Sequence, residues 1–449
     1  MNNTDNITSG SIPRTIISLA VPVVAGMFME FALSVTDFFW VGKLGPVAQD
    51  AVTTSMVVIW TIYSLISIIS VGVTALVARY IGAREPDRAA YFVRQGLVMA
   101  VLLGSSLSVV GYLAAPGILS FMDTGPATME MAVPYLRIFF ASAVFFFLAD
   151  TAYAVFRASG DTRTPMKIGM AVIGLNMLLD PMLIFGLGPF PRLGVTGAGI
   201  STAISMATGA AIVLRQMFTG TLGYSVGSPF LTHPNVRQMI RIGRIGVPMA
   251  TQQLVFIIVY WFLIKIVHQY GEVAAAAMGI GNRMESFSYL TCFGFSMAAS
   301  TMVGQNLGAG KPDRAARCAW GAIGIAVSLT FVISILFITI PGGIAAIFTN
   351  DPRVHHIAVD YLIILGLSQS AMAIEIVLEG AFGGAGDTLP PMIVMVPGSL
   401  ARIPLAYYLA FNLGWGINGV WWTLTITSIV KAIVLALWFK RGRWKTRQV

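Results

Sequence analysis

The chain has 449 residues, of which 56% are hydrophobic and only 10% charged, and its mean hydropathy is +0.80. A water-soluble domain carries about 25% charged residues and needs them to cover its surface, so a soluble globular body is excluded and a protein embedded in a membrane is expected. Two cysteines, Cys292 and Cys318, cannot build a disulfide framework or a four-ligand zinc site, and a net charge of +9 points to nucleic acid only if nothing else explains it.

The first residues, MNNTDNITSGSIPR, lack the basic, apolar, then small-residue order of a cleaved signal peptide, so the first apolar stretch is expected to stay in the mature chain. A helix needs about 20 mostly apolar residues to cross a bilayer. Twelve stretches qualify: 15–41, 51–78, 92–117, 131–156, 165–187, 194–217, 239–268, 274–302, 316–341, 356–381, 389–411 and 418–438. Counting loops alternately, 20 of the 28 lysines and arginines fall on one side, from Arg14 to the tail residues Lys440, Arg441, Arg443, Lys445 and Arg447. Only Lys43, Arg192 and Arg353 fall in loops on the other, and five lie within spans. Basic residues stay on the cytoplasmic side, so both termini are expected there, in a plasma (inner) membrane. The tail KRGRWKTRQV then reads as an anchor on membrane lipid rather than a nucleic-acid contact.

One internal offset, 226 residues, recurs along the chain. VARYIGAREPDRAA (77–90) matches VGQNLGAGKPDRAA (303–316), GDTRTPM (160–166) matches GDTLPPM (386–392), GPVAQDA (45–51) matches GEVAAAA (271–277), and Pro22 matches Pro248. GVTGA (194–198) pairs with GINGV (416–420) at 222. Six spans per half is an even number, so the halves have the same orientation. The expected fold is an all-α integral membrane protein with twelve transmembrane helices in two six-helix lobes, parallel repeats about a pseudo-two-fold axis along the membrane normal. The lobes are expected over 1–221 and 237–449, joined by a Gly-, Ser- and Pro-rich cytoplasmic linker over 222–236. Asp87 and Asp313, in the twin loops, are expected near helix starts as N-caps.

Charged groups within spans are costly and by default face an internal cavity for a functional reason. The acids are Glu30, Asp37, Asp150, Asp180, Glu285, Glu375 and Glu379. Under the repeat, Asp37 maps to Leu263, Asn176 to Arg402 and Asp180 to Ala406, so function is expected in the first lobe. Asn176 and Asp180 are four apart and share a helix face, and Glu30 and Asp37, seven apart, share another. Facing carboxyls in a low-dielectric lobe titrate as a unit and can take up a proton; with Asn176 and Thr202 adding oxygens, the same cluster could hold a small hard cation. Glu375 and Glu379 form a second acidic face on the tenth span. With Lys265 and Gln252 they make a candidate substrate or second-lobe charge site, in which the acids attract cationic substrates or pair with Lys265 or Arg402. No nucleotide-binding, metalloprotease or nucleophile-elbow signature is present, so no enzyme, no cofactor and no structural metal are expected.

The segment VPVVAGMFMEFALSVTDFFWVGKLG (21–45), the twin PDRAA loops, the twin GDTxxPM motifs and the six-plus-six spans resemble the multidrug and toxic compound extrusion (MATE) family over 12–440, most closely its prokaryotic DinF-like branch. The resemblance implies a secondary antiporter that exports bulky cationic or amphipathic compounds, organic cations and drugs among them, in exchange for H⁺ or Na⁺. It implies cation coupling at Asp37, Asn176, Asp180, Ala198 and Thr202, a supporting network of Tyr135, Asp150 and Tyr153 beside Glu30, a bend of the first helix at Pro22, and a monomer. The rival readings are a lipid-linked precursor flippase, which wants a basic cavity where this chain offers Arg137, Lys265, Arg283 and Arg402, and an intramembrane transferase, for which no catalytic constellation stands out.

Overall fold

A computed structural model describes residues 3–227 and 233–448. Part of the expected linker, 228–232, lies outside the described residues. A chain this apolar must satisfy its backbone internally where no water can reach it, and the α-helix does so within one segment. In chain order the helices are α1 (Asn3–Ser9), α2 (Ile12–Gly42), α3 (Pro46–Gly82), α4 (Pro86–Phe121), α5 (Pro126–Ala141), α6 (Ala143–Ala158), α7 (Arg163–Phe185) and α8 (Val195–Phe218). They continue as α9 (Val236–His268), α10 (Glu272–Gly308), α11 (Pro312–Thr339), α12 (Pro341–Ala346), α13 (Pro352–Gly366), α14 (Gln369–Ala385), α15 (Leu389–Leu400), α16 (Arg402–Tyr407) with a π-helical turn Tyr408–Asn412, and α17 (Ile417–Lys440).

Among the described residues, nine helical segments are long and apolar enough to cross a membrane, and the bent pairs α5–α6 and α13–α14 add two more. The 37-residue α10, which carries Glu272, Arg283 and Glu285, makes the twelfth. The stretches 131–156 and 356–381, expected as single spans, are each broken, by 48° after Ala141 and by 54° after Gly366. The breaks are themselves a repeat, since Ser142 and Ser368 are 226 residues apart. Ser142 Oγ donates to the Ile138 and Phe139 carbonyls, and Ser368 Oγ donates to that of Leu365. A serine bonding back onto the preceding turn competes with the amide ladder and bends a helix.

The twin loops also differ from expectation. Glu85 and Lys311 occupy the N-cap positions of α4 and α11, with Pro86 and Pro312 next, so Asp87 and Asp313 sit inside the first turn and make no cap hydrogen bond. Proline is preorganised for the first helical position, which puts the acid two residues past the N-cap, where it still complements the helix dipole. The preceding turn needs a left-handed residue: Gly310 supplies it in the second loop (φ +69°), but its counterpart is Arg84 (φ +61°). A side chain there costs about 1–2 kcal/mol. Arg84→Gly is therefore expected to raise stability by about 1 kcal/mol, less the added freedom of the unfolded glycine, read as a higher melting temperature in detergent.

The helices pack into two compact units, one formed by Ala25–Gly246 and the other by residues up to Val24 together with Val247 onward. The division thus falls inside α2 and α9. On the second unit, Asn306 Nδ2 and Lys311 Nζ donate to the carbonyls of Ile7 and Thr8, and Arg314 Nη2 donates to that of Gly10, holding down the unexpected helix α1 by its C-terminal end. On the first unit, Gln95, completely buried, donates to the His233 carbonyl at 3.0 Å and accepts from the Asn235 amide at 2.9 Å, while Arg94 donates to the Val226 carbonyl. The chain entering each crossing helix is therefore fastened to the unit that the helix is leaving.

Within the second unit, α10 and α14 run in close contact: a Cβ on Gly380 would lie 2.3 Å from the Ser296 carbonyl oxygen, and one on Gly384 2.0 Å from that of Ser300. This is small-xxx-small packing, in which missing side chains let backbones approach in lipid. Gly384→Val is expected to force the pair apart at a cost of about 3 kcal/mol or more, read as loss of monodisperse protein after extraction. The carboxy-terminal segment is pinned to the same unit by Trp444, buried and stacked on Phe439 at 4.4 Å, and by Lys445 on Asp313 at 2.8 Å. That lysine holds the Asp313 carboxyl below the usual carboxylate range.

Candidate functional site

In the first unit, the face of α7 that carries Asn176 and Asp180 packs against α8. The approach is close because α8 opens with small residues: a Cβ on Gly197 would lie 2.5 Å from the Leu183 carbonyl oxygen. Asn176 and Asp180 are both buried, and Asp37 reaches them from α2, half-buried. With the Asn176 carboxamide assigned by its hydrogen-bond partners, its nitrogen lies 3.2 Å from Asp180 Oδ2 and 3.2 Å from Asp37 Oδ1, while its oxygen accepts from Ser201 Oγ and the Thr202 amide, each at 3.2 Å. This orientation gives each end of the carboxamide complementary partners. One amide nitrogen thus reaches a carboxyl oxygen of each acid, which holds the Asp37 and Asp180 carboxyls beside one another. Two carboxylates crowded around one donor repel, and a proton shared between them relieves that repulsion.

Tyr135 on α5 is buried beside the same two acids, its ring over Gly199. Thr202 Oγ1 donates to the Ala198 carbonyl at 3.0 Å, so what Ala198 brings to the cluster is that carbonyl. Glu30 and Asp37 part company. Seven residues earlier on α2, Glu30 faces Asp150 and Arg157 of α6, with Tyr63 and Tyr153 alongside, and Arg157 Nη2 lies 3.7 Å from Asp150 Oδ1. Pro22 is buried inside α2, two residues before the helix passes between units.

The second unit fills the matching positions with charge. Glu375 Oε2 lies 3.3 Å from Lys431 Nζ, both side chains 5% exposed. Arg402, which stands where the first half has Asn176, donates to Thr427 Oγ1 at 2.9 Å and to Ser428 Oγ at 3.2 Å. Glu285 faces Arg402, and Glu379 faces Glu375 and Lys431. The two bases offset two of three acids. Lys431 passes over Gly398, where a Cβ would meet its Cγ at 2.6 Å; in the first half the contact is reversed, Gly209 lying under Val172. Lys265, an expected partner of Glu375, instead sits over the Trp261 ring at 3.7 Å, while Glu375 pairs with Lys431. Gln252 is buried and donates to the Pro248 carbonyl of its own helix.

Ser201, Tyr63, Arg157 and Lys431 are the participants that sequence reading missed. Lys431 carried a usable signal as a lone base in the last apolar span. Ser201 and Tyr63 lacked one, since a hydroxyl or phenol within a span is ordinary packing, and Arg157 was read as a cytoplasmic loop base.

The MatE family model matches residues 22–182 and 247–408, two blocks that cover most of the chain and fall one in each half. The chain belongs to the MatE family. Curated relatives include the "Probable multidrug resistance protein NorM" of Thermotoga maritima, 29% identical over 98% of this chain and 94% of the relative, and the "FAD transporter" of Shewanella oneidensis, 24% identical over 96% and 95%. Among solved structures, a MOP superfamily transporter from Pyrococcus furiosus superposes with a TM-score of 0.92 at 23% identity, covering 100% of this chain and 99% of that one. A MATE described as being in the straight conformation gives 0.92 at 24%, covering 100% of both chains, and one in the bent conformation 0.91 at 23%, covering 99% and 98%. MatE proteins are membrane transporters rather than enzymes, and the neighbours share this chain's two-lobe, twelve-helix fold.

Proposed function

We propose that this MatE protein is a secondary antiporter that exports bulky cationic or amphipathic compounds by alternating access, with Asp37 and Asp180 binding the coupling ion and H⁺ as that ion. The observation that carries the reading is the single buried Asn176 amide nitrogen, 3.2 Å from a carboxyl oxygen of each acid. Two carboxyls crowded around one N–H donor suit a shared proton, whereas a metal ion would need oxygen ligands where that N–H stands. The ion enters from outside, removes the charge of the pair and favours bending of α2 near Pro22, where the missing amide hydrogen already weakens the helix. The straight and bent neighbours support such a bend. The protein works as a monomer in a bacterial-type inner membrane with both termini in the cytoplasm. A lipid-precursor flippase is not favoured: the buried Lys431 of the second unit is matched by Glu375, acids accompany the bases there, and the curated relatives include multidrug resistance proteins.

Reconstitution into liposomes with imposed pH and Na⁺ gradients, applied one at a time, tests the proposal. An inward-directed proton gradient is expected to drive ethidium efflux with no Na⁺ present. Efflux driven by Na⁺ alone would overturn the choice of ion.

A further inference from the structure

The first unit gathers two carboxyls around one amide; the second pairs one carboxyl with a cation of its own. Lys431 Nζ of α17 donates to Glu375 Oε2 of α14 at 3.3 Å, with both side chains 5% exposed. The lysine stem reaches it along a track that glycine leaves open: a Cβ on Gly398 of α15 would stand 2.6 Å from Lys431 Cγ and 2.7 Å from its Cδ. Buried polar groups whose role is packing find partners, yet Glu375 Oε1 is buried with no hydrogen-bond partner among the described residues. The carboxylate thus takes its cation through one oxygen. An arginine would grip both oxygens in a fixed fork, whereas an ammonium is a compact point charge on a flexible stem, the nearest a side chain comes to a small free cation. Around the pair stand Arg402 of α16, Glu379 one turn along α14 and Glu285 of α10, and Arg402 is itself held by the Thr427 and Ser428 hydroxyls.

Under the repeat, Glu375 maps to Ala149, and Lys431, at the offset of 222 that relates α17 to α8, maps to Gly209. Neither half copies the other's charged group, since Leu263 and Ala406 stand where the first half has Asp37 and Asp180. We propose that Lys431 is a tethered counter-cation, which fills the cation position at Glu375 throughout the transport cycle, so that the second unit takes up no exchangeable ion. A tethered ligand competes at the effective concentration set by its tether, so a cation from solution meets an occupied site. Coupling then passes through the first unit alone. The inference rests on the antiporter reading for this last consequence, and it holds whether the first unit binds H⁺ or Na⁺.

The test starts from the purified full chain carrying Asp37→Asn, which removes the ion site of the first unit. Adding Lys431→Ala strands Glu375 and opens the space of the stem. Propylammonium, the part of lysine that alanine lacks, is expected to raise the melting temperature of this variant by about 3 °C or more, and to leave unchanged that of the protein with Lys431 in place. A folded variant that propylammonium does not stabilise would overturn the proposal, and so would equal stabilisation by propanol, which has the shape without the charge. A second measurement does not depend on the folding of Lys431→Ala: Lys431→Met combined with Glu375→Gln, in liposomes, with the first unit's ion site intact. The number of ions moved per ethidium, read from the imposed gradient that balances export, is expected to equal that of the unmodified protein. A lower number would show that the second unit exchanges an ion and would overturn the tether. Export that no ion gradient drives in the unmodified protein would instead refute the antiporter reading, on which the melting experiment does not depend.

Discussion

Asp37→Asn and Asp180→Asn are each expected to abolish ion-driven export while leaving the protein folded. An amide at either position can still hydrogen-bond to Asn176 and to its remaining partner, so packing survives. Neither variant, however, keeps two acids that share one proton, and the pair loses the charge change that distinguishes its loaded state from its empty one. A ligand or ion shifts a conformational equilibrium only by its differential affinity for the two states, so drug efflux from energised vesicles should fall at least about tenfold, with ethidium binding to the purified protein retained. Asn176→Ala separates positioning from ion binding. It leaves both acids but removes the amide that fixes them, and should lower apparent ion affinity more than maximal rate. Undiminished efflux in correctly inserted Asp37→Asn protein would refute the assignment.

The largest stability effect is expected in the other unit. Lys431 and Glu375 are both almost fully buried, and removing one partner of a buried pair strands an uncompensated charge, at a cost of about 3–5 kcal/mol. Lys431→Met should therefore lower the melting temperature in detergent sharply. Adding Glu375→Gln should recover most of the loss, because an apolar or neutral pair of similar volume is close to neutral in energy. Arg402 keeps its hydrogen bonds to Thr427 and Ser428, so the double variant should still fold. Equal destabilisation in the single and double variants would show that Lys431 acts by packing over Gly398 rather than by charge.

Much of this arrangement was legible in the chain. Hydropathy and the 226-residue repeat yield twelve spans in two halves, since burying a backbone in lipid leaves few options. The asymmetry of Asp37, Asn176 and Asp180 marks the first half as chemically distinct, and the structure brings those three side chains together. Pairing across helices was less accessible. Spacing along α2 places Glu30 and Asp37 on one face, but which neighbour each meets depends on how α6 and α7 pack there, and the two acids go to different clusters. The helix breaks at Ser142 and Ser368 escaped because a serine signals a bend only when its rotamer turns back onto the preceding carbonyl. For Glu375, Lys265 and Arg402 were natural partners, while Lys431 was found only through the contact of α14 with α17.

The fastening of residues up to Val24 to one body and of 25–246 to the other has a consequence for ancestry. A six-span half standing alone could complete neither body, since its opening arm belongs to the partner half and the arm it needs is the partner's. A single-half progenitor would thus have been obliged to pair with a second copy and exchange arms, as in a domain-swapped dimer. Fusion of two such copies requires only a connection between the end of one and the arm of the next, which is the position of the stretch around 222–236.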